Sequence, residues 1–206
     1  MRELVVATKN KGKLREIAAC LGELGIKVIP LDAISEDVDL TEDGATFEEN
    51  ALKKAREVAR VSGKLTLADD SGLEVEALGG APGVRSARFA GEGAGDEENN
   101  RELLRRLQGV PAERRRASFR CVMALVDPAT GREWVVEGSC HGIILENPRG
   151  EGGFGYDPLF FLPERGKTMA ELPLAEKNCI SHRGRALKAI KAVLREQFLT
   201  GRGAAG

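Results

Sequence analysis

Histidine is nearly absent from this chain, with only His141 and His182, and its four cysteines, Cys20, Cys121, Cys140 and Cys179, lie far apart with no C-x-x-C pair. A structural zinc site needs thiolates and imidazoles at short spacing, so none is expected, and the cysteines read as reduced thiols. No apolar run approaches the ~20 residues that span a bilayer. The amino terminus enters a strand-like run without a signal-peptide pattern, so a cytosolic protein is expected. Net charge is equally slight: 31 Lys and Arg against 32 Asp and Glu leave −1. No global basic field exists to hold a nucleic-acid polymer, and an anionic partner should be small and locally bound. The 25 glycines are scattered, with neither an internal repeat nor a low-complexity segment. What remains, 42% hydrophobic and 31% charged over 206 residues, describes a soluble folded chain, long enough for one large domain or two small lobes sharing a core.

The richest stretch is Leu65 to Gly91. The β-forming run Leu65-Thr66-Leu67-Ala68 leads into Asp69-Asp70 and then Ser71-Gly72, which predicts a strand ending at two carboxylates followed by a turn. Successive strand side chains point to opposite faces, so one aspartate is expected to serve chemistry and the other the fold. Gly79 to Gly83 add a second permissive backbone segment, with Arg85 and Arg88 just after it. Carboxylates, a hydroxyl and guanidinium groups so close together suit a metal and an anionic ligand.

Glu3 to Ala7 reads as a buried strand, and Leu14, Ile17, Ala18, Leu21 and Leu24 recur with helical spacing. The intervening Thr8-Lys9-Asn10-Lys11-Gly12-Lys13 opens that helix, where unpaired N–H groups can bind an anion. It is not a Walker loop, because Leu14 stands where Ser or Thr is required; a solvated lysine loop is the alternative. Val28 to Leu31 suggests a weak strand, and Glu36 to Asp43 an acidic connection of mostly surface charge. Thr46-Phe47-Glu48-Glu49 is a capping box that starts a helix carrying Lys53 and Lys54, with Gly63 as the stop. Glu42, just ahead of it, is a candidate second metal carboxylate beside Asp70. Asp96 should cap a helix with Leu103, Leu104 and Leu107 inward. Ala117 to Val126 and Trp134 to Leu145 predict an antiparallel hairpin with an architectural role. Gly150 to Gly155 satisfies G-x-G-x-x-G, but Asp157-Pro158 follows where a helix should begin, so a dinucleotide site is excluded. That turn can offer Phe154 and Tyr156, beside Asp157, to a planar ring, or pack them in the core. Ser181 can cap a last helix with His182 and Arg183 in its first turn, where cations oppose the helix dipole unless a ligand's acceptors sit against the same helix end.

Five blocks in this order resemble the inosine triphosphate pyrophosphatases, also called dITP/XTP pyrophosphatases: Ala7 to Lys13, Thr46 to Ala51, Ala68 to Leu73, Gly153 to Pro158 and Ser181 to Gly184. The resemblance implies an elongated α/β fold of two lobes around a long mixed sheet, with the active site in the cleft between them. Residues 1–200 would form one domain, and the glycine-rich 201–206 a disordered tail. It implies Mg²⁺-dependent hydrolysis of a non-canonical purine nucleoside triphosphate (ITP, dITP or XTP) to monophosphate and pyrophosphate, commonly by a cytoplasmic homodimer. Carried over by position, Asp70 is general base and metal ligand, Glu42 the other metal carboxylate, and Lys54 a catalytic-site cation. Thr8, Lys9, Asn10, Lys11, Gly12, Lys13 and Ser71 fall around the triphosphate. Phe154, Gly155, Tyr156, Asp157, Lys177, His182 and Arg183 fall around the purine, with Lys177, His182 and Arg183 as donors for its 6-oxo group. An enzyme of similar shape for another modified nucleotide, or a non-catalytic sensor, are the competing readings; a positioned base argues against the sensor.

Overall fold

The computed structural model describes residues 2–35, 38 and 40–199; Glu36, Asp37 and Asp39 of the acidic connection, and the tail, lie outside the described residues. Seven strands, β1 (Glu3–Val6), β2 (Lys27–Pro30), β3 (Thr66–Val75), β4 (Arg116–Asp127), β5 (Arg132–Ile144), β6 (Phe160–Leu162) and β7 (Lys167–Thr168), form one sheet in the order β2-β1-β3-β4-β5-β6-β7. β1 runs parallel to β2 and β3, and each pairing beyond β3 is antiparallel. The α-helices among the described residues are α1 (Lys11–Leu21), α2 (Phe47–Ser62), α3 (Asp96–Arg106), α4 (Leu174–Ile180) and α5 (His182–Leu194). This is the α/β class with a long mixed sheet that the resemblance implied.

Leu4, Val5 and Val6 are fully buried because helices cover both faces of β1. Alternation then sorts the core. Leu4, Val6, Leu67, Met123 and Leu125 pack with Ile17 and Leu21 of α1 and Leu187 and Ile190 of α5. Val5, Ala68, Val122 and Ala124 pack on the opposite face with Phe47, Ala51, Ala55 and Val58 of α2. α2 starts where the capping box predicts: the Thr46 hydroxyl accepts from the Glu49 N–H and the Glu49 carboxylate accepts from the Thr46 N–H. Farther along the same long strands a third cluster joins Leu73, Val75 and Phe119 to Leu103, Leu107, Tyr156, Phe160 and Met169.

β3 corrects one expectation: the strand does not end at Asp69-Asp70. It continues to Val75, and Asp69, Asp70, Ser71 and Gly72 pair with Met123, Val122, Cys121 and Arg120. A neighbouring strand that extends equally far satisfies the backbone of this polar segment, so nothing forces a turn. Gly72 serves close approach instead, since a Cβ there would stand 2.5 Å from the Gly83 carbonyl oxygen and from Ser86 Oγ. Three smaller departures follow from local competition. Leu24 falls in a 3₁₀ turn (Gly22–Leu24) after α1, and β2 begins one residue early. Gly95, not Asp96, occupies the cap position of α3, which frees the Asp96 carboxylate to accept from the Gly155 N–H at 2.7 Å. The four cysteines are free thiols, and no helix among the described residues is long and apolar enough to cross a membrane.

Candidate active site

Between the apolar clusters the sheet has a polar waist, and Asp69 to Gly72 of β3 form it. Asp69 and Ser71 point to the α1 and α5 side and Asp70 to the α2 side, as alternation along an unbroken strand requires. The two aspartates therefore enter different environments.

On the α2 side, Asn50 and Lys54 lie one helical turn apart and both reach β3. Lys54 Nζ donates to Glu42 Oε1 at 2.5 Å and to the Asp69 carbonyl at 2.6 Å, and stands 3.7 Å from Asp70 Oδ1. Asn50 Nδ2 donates to Asp70 Oδ2 at 2.9 Å, while the Ser71 N–H donates to Oδ1 at 3.0 Å. Burial raises the Asp70 carboxyl to about 6; Lys54 opposes that rise and Glu42 adds to it. Burial lowers Lys54, but Asp70 and Glu42 outweigh it and keep the ammonium charged. One ammonium thus faces two carboxylates, an excess of negative charge that suits a further cation.

On the other side, Asp69 is fully buried, and although burial opposes its charge, Lys13, Arg183 and Lys54 hold its carboxyl well below the usual range. Lys13 Nζ lies 3.1 Å from Asp69 Oδ2, and Arg183 Nη2 3.3 Å. Glu16 of α1 continues the network, pairing with Arg183 Nη1 and with Lys177 Nζ at 2.6 Å each, and Lys177 also meets Asp157 Oδ2 at 2.6 Å. Asp69, Glu16 and Asp157 balance Lys13, Arg183 and Lys177. These carboxylates resolve the conflict between Arg183 and the dipole of α5, so no ligand is required to do so. Ser181 caps α5 as expected, its hydroxyl accepting from the Gly184 N–H at 3.1 Å. His182 stacks on Phe119 with ring centroids 4.7 Å apart. Burial and the neighbouring Arg183 and Lys177 keep it neutral, and its Nδ1 is buried without a hydrogen-bond partner.

The glycine-rich turn resolves the choice between stacking and packing residue by residue. Tyr156 belongs to the core, its hydroxyl donating to the Ser86 carbonyl at 2.7 Å. Phe154 is half-buried, with Lys177 Nζ 4.6 Å and Arg183 Cζ 5.5 Å from its ring centroid. Asp157 shapes the turn by accepting from the Phe154 N–H, and α3 grips it through Asp96 and Asn100, which bond the Gly155 N–H and carbonyl.

A cleft of about 330 Å³ runs across this waist. Thr8, Lys9, Asn10 and Lys13 line it from the start of α1, Glu42, Lys54, Asp70 and Ser71 from the middle, and Phe154, Gly155, Tyr156, Asp157, Lys177, His182 and Arg183 from the far end. Lys11 lines a smaller neighbouring cleft instead, and Gly12 lies beneath the Phe154 ring. Arg85 and Arg88 do not line the cleft; Arg88 donates to the Glu42 carbonyl at 2.8 Å and so holds that loop. Sequence reasoning missed Glu16, Asn50, Asp96 and Phe119. Asn50 stands inside the Thr46 to Ala51 block, which was the one available signal; the others are assembled by tertiary contact alone. Phe119 shows that the hairpin also contributes to the site.

The same fold recurs in solved structures. A HAM1 protein from Coxiella burnetii superposes with a TM-score of 0.84 at 45% identity, covering 95% of this chain and 100% of that one. The chain belongs to the Ham1 family, whose sequence profile it matches over residues 4–193. Among curated proteins it is 58% identical over 191 residues to the dITP/XTP pyrophosphatase of Geobacter sulfurreducens, covering 93% of this chain and 96% of that one. It is 54% identical over 187 residues to the protein of the same name from Geobacillus kaustophilus, covering 91% of each.

Proposed function

We propose that this protein hydrolyses dITP, ITP and XTP to the nucleoside monophosphate and pyrophosphate, removing non-canonical purines from the nucleotide pool. The observation that carries this reading is that one cleft holds a carboxylate pair with an ammonium between its walls and, at its far end, an aromatic ring among buried cations. The names of the Geobacter and Geobacillus relatives agree with it.

In this reading Asp70 takes a proton from water, the water oxygen bonds to the α-phosphorus, and the bridging oxygen leaves with pyrophosphate. The cost of keeping Asp70 ionised in a buried site gives it the basicity for that step. Lys54 holds charge beside the attacked phosphate, and Lys13 with the Thr8–Asn10 backbone receives the triphosphate at the start of α1. The fit to a cation rests on the donor set. Among the described residues no group of three His, Cys, Asp or Glu gathers to hold a metal, so Glu42 and Asp70 would leave most positions to water and phosphate, as Mg²⁺ favours and zinc does not. When bound, such an ion neutralises charge on the phosphate oxygens.

Purine recognition is narrower than the residue types suggest. Lys177 spends two of its N–H donors on Glu16 and Asp157, and Arg183 spends most of its own on Glu16, Asp69 and Ser71. One N–H remains on each. We assign the 6-oxo readout to these two N–H groups and to His182, which lines the same cleft, and ring stacking to Phe154. We read the protein as one domain of two lobes, one on each side of the waist, and as a cytoplasmic homodimer. Incubation with ITP, XTP, ATP and GTP plus Mg²⁺, with separate detection of pyrophosphate and phosphate, tests the reading.

A further inference from the structure

Asn50 is fully buried on the face of α2 that also buries Ala51 and Lys54, and both ends of its side-chain amide are used. Nδ2 donates to Asp70 Oδ2 at 2.9 Å, and Oδ1 accepts from the Gly44 N–H at 2.8 Å. The first partner carries one carboxylate of the pair; the second lies two residues from the other, Glu42. A primary amide suits this position because it donates to a carboxylate and accepts from an N–H at once, which neither aspartate nor an apolar isostere can do. Gly44 fits the same contact from the other side, since a Cβ there would lie 2.7 Å from Asn50 Oδ1 and 2.9 Å from Glu49 Cβ. The loop is further held by Lys54 on the Glu42 carboxylate, Arg88 on the Glu42 carbonyl and Glu49 on the Ala45 N–H. Lys54 bridges Glu42 and Asp70 as an ion pair, and Asn50 adds hydrogen bonds of fixed direction between the loop backbone and the Asp70 carboxylate.

We infer that Asn50 is a positioning residue that sets the separation and orientation of Glu42 and Asp70, and so the affinity of the pair for a divalent cation. The inference rests on the reading of that pair as the cation site. Groups that orient metal-binding side chains commonly account for ~10- to 100-fold in affinity or activity when removed.

Mn²⁺ binding to the nucleotide-free protein, measured by calorimetry, tests this apart from turnover, with thermal unfolding of each variant recorded alongside. Asn50→Leu keeps the branched shape and deletes both hydrogen bonds; its Mn²⁺ affinity should fall ~10- to 100-fold. Gly44→Ala keeps the Asn50 side chain itself and disturbs the contact from the loop side, where the added Cβ forces a shift, so a fall in the same direction is expected. Unaltered Mn²⁺ affinity in folded Gly44→Ala and Asn50→Leu, with or without a lower melting temperature, would reduce Asn50 to a packing residue and overturn the inference. If Asn50→Leu does not fold, Gly44→Ala decides. Unchanged protein that binds no Mn²⁺ in a Glu42-dependent way, judged against Glu42→Gln, would instead overturn the cation-site reading beneath it.

Discussion

Asp69→Asn and Asp70→Asn make the same isosteric change at adjacent positions of β3, yet they should move stability in opposite directions in protein held in EDTA near pH 7. Asp69 is ionised at a profit to the fold, because Lys13, Arg183 and Lys54 outweigh its burial. Neutralising it strands buried cations, a change that costs about 3–5 kcal/mol. Asp70 is ionised at a loss: burial raises it from an ordinary 3.8 to about 6, which corresponds to on the order of 3 kcal/mol at pH 7. The amide relieves that loss but turns an NH₂ toward either the Asn50 or the Ser71 donor, returning about 1–3 kcal/mol. Asp70→Asn should therefore lie between neutral and about 2 kcal/mol more stable. For a chain of this size that is a melting temperature up to ~8 °C higher, against a fall of at least ~6 °C for Asp69→Asn. The sign also fixes the pH dependence. A carboxyl whose folded value is raised favours the fold at low pH, and that contribution is lost as pH rises through about 6. The gap between Asp70→Asn and unaltered protein should open between about pH 4 and 7. Turnover moves differently, with Asp70→Asn losing ~10²- to 10⁴-fold in kcat and Asp69→Asn less. Circular dichroism melts across this range decide the matter. Equal destabilisation by both variants, or a gap that does not change with pH, would refute the separate assignments of the two aspartates.

Glu42→Gln should raise the Mg²⁺ concentration for half-maximal rate by at least ~10-fold while leaving kcat at saturating Mg²⁺ less affected, and EDTA should abolish turnover in the unaltered enzyme. Full activity without any divalent ion would remove the role assigned to Glu42. Arg183→Ala should erode the preference for ITP over ATP and also lower stability by about 3–5 kcal/mol, since Asp69 and Glu16 lose a buried partner. Urea unfolding and kcat/KM ratios measure the two effects separately, and an unchanged ratio would exclude Arg183 from base recognition.

Local signals in the sequence reached the frame of the site but not its wiring. The Thr46 and Ser181 caps, the buried run Leu4 to Val6 and the hairpin were all legible, because each depends on neighbours within a few residues. β3 misled because Asp-Asp-Ser-Gly reads as a turn in isolation, and only β4, some fifty residues later in the chain, keeps it extended. α4 is a seven-residue helix entered through Pro173, too short to show periodicity. Glu16 looks like an ordinary polar position of α1; its role as counter-charge to Lys177 and Arg183 exists only once α1, α4 and α5 meet. The same contacts turned cations that seemed free for a ligand into members of a balanced network.

The most direct test of the central claim compares kcat/KM for ITP and XTP with that for ATP, in Mg²⁺, while identifying the product released. A site that leaves buried donors facing an adenine amino group should reject ATP by at least ~10²-fold, because those donors lose their acceptor. The expected result is that preference together with pyrophosphate as the released product. Comparable kcat/KM for ITP and ATP would contradict the 6-oxo readout, and release of inorganic phosphate alone would contradict attack at the α-phosphorus.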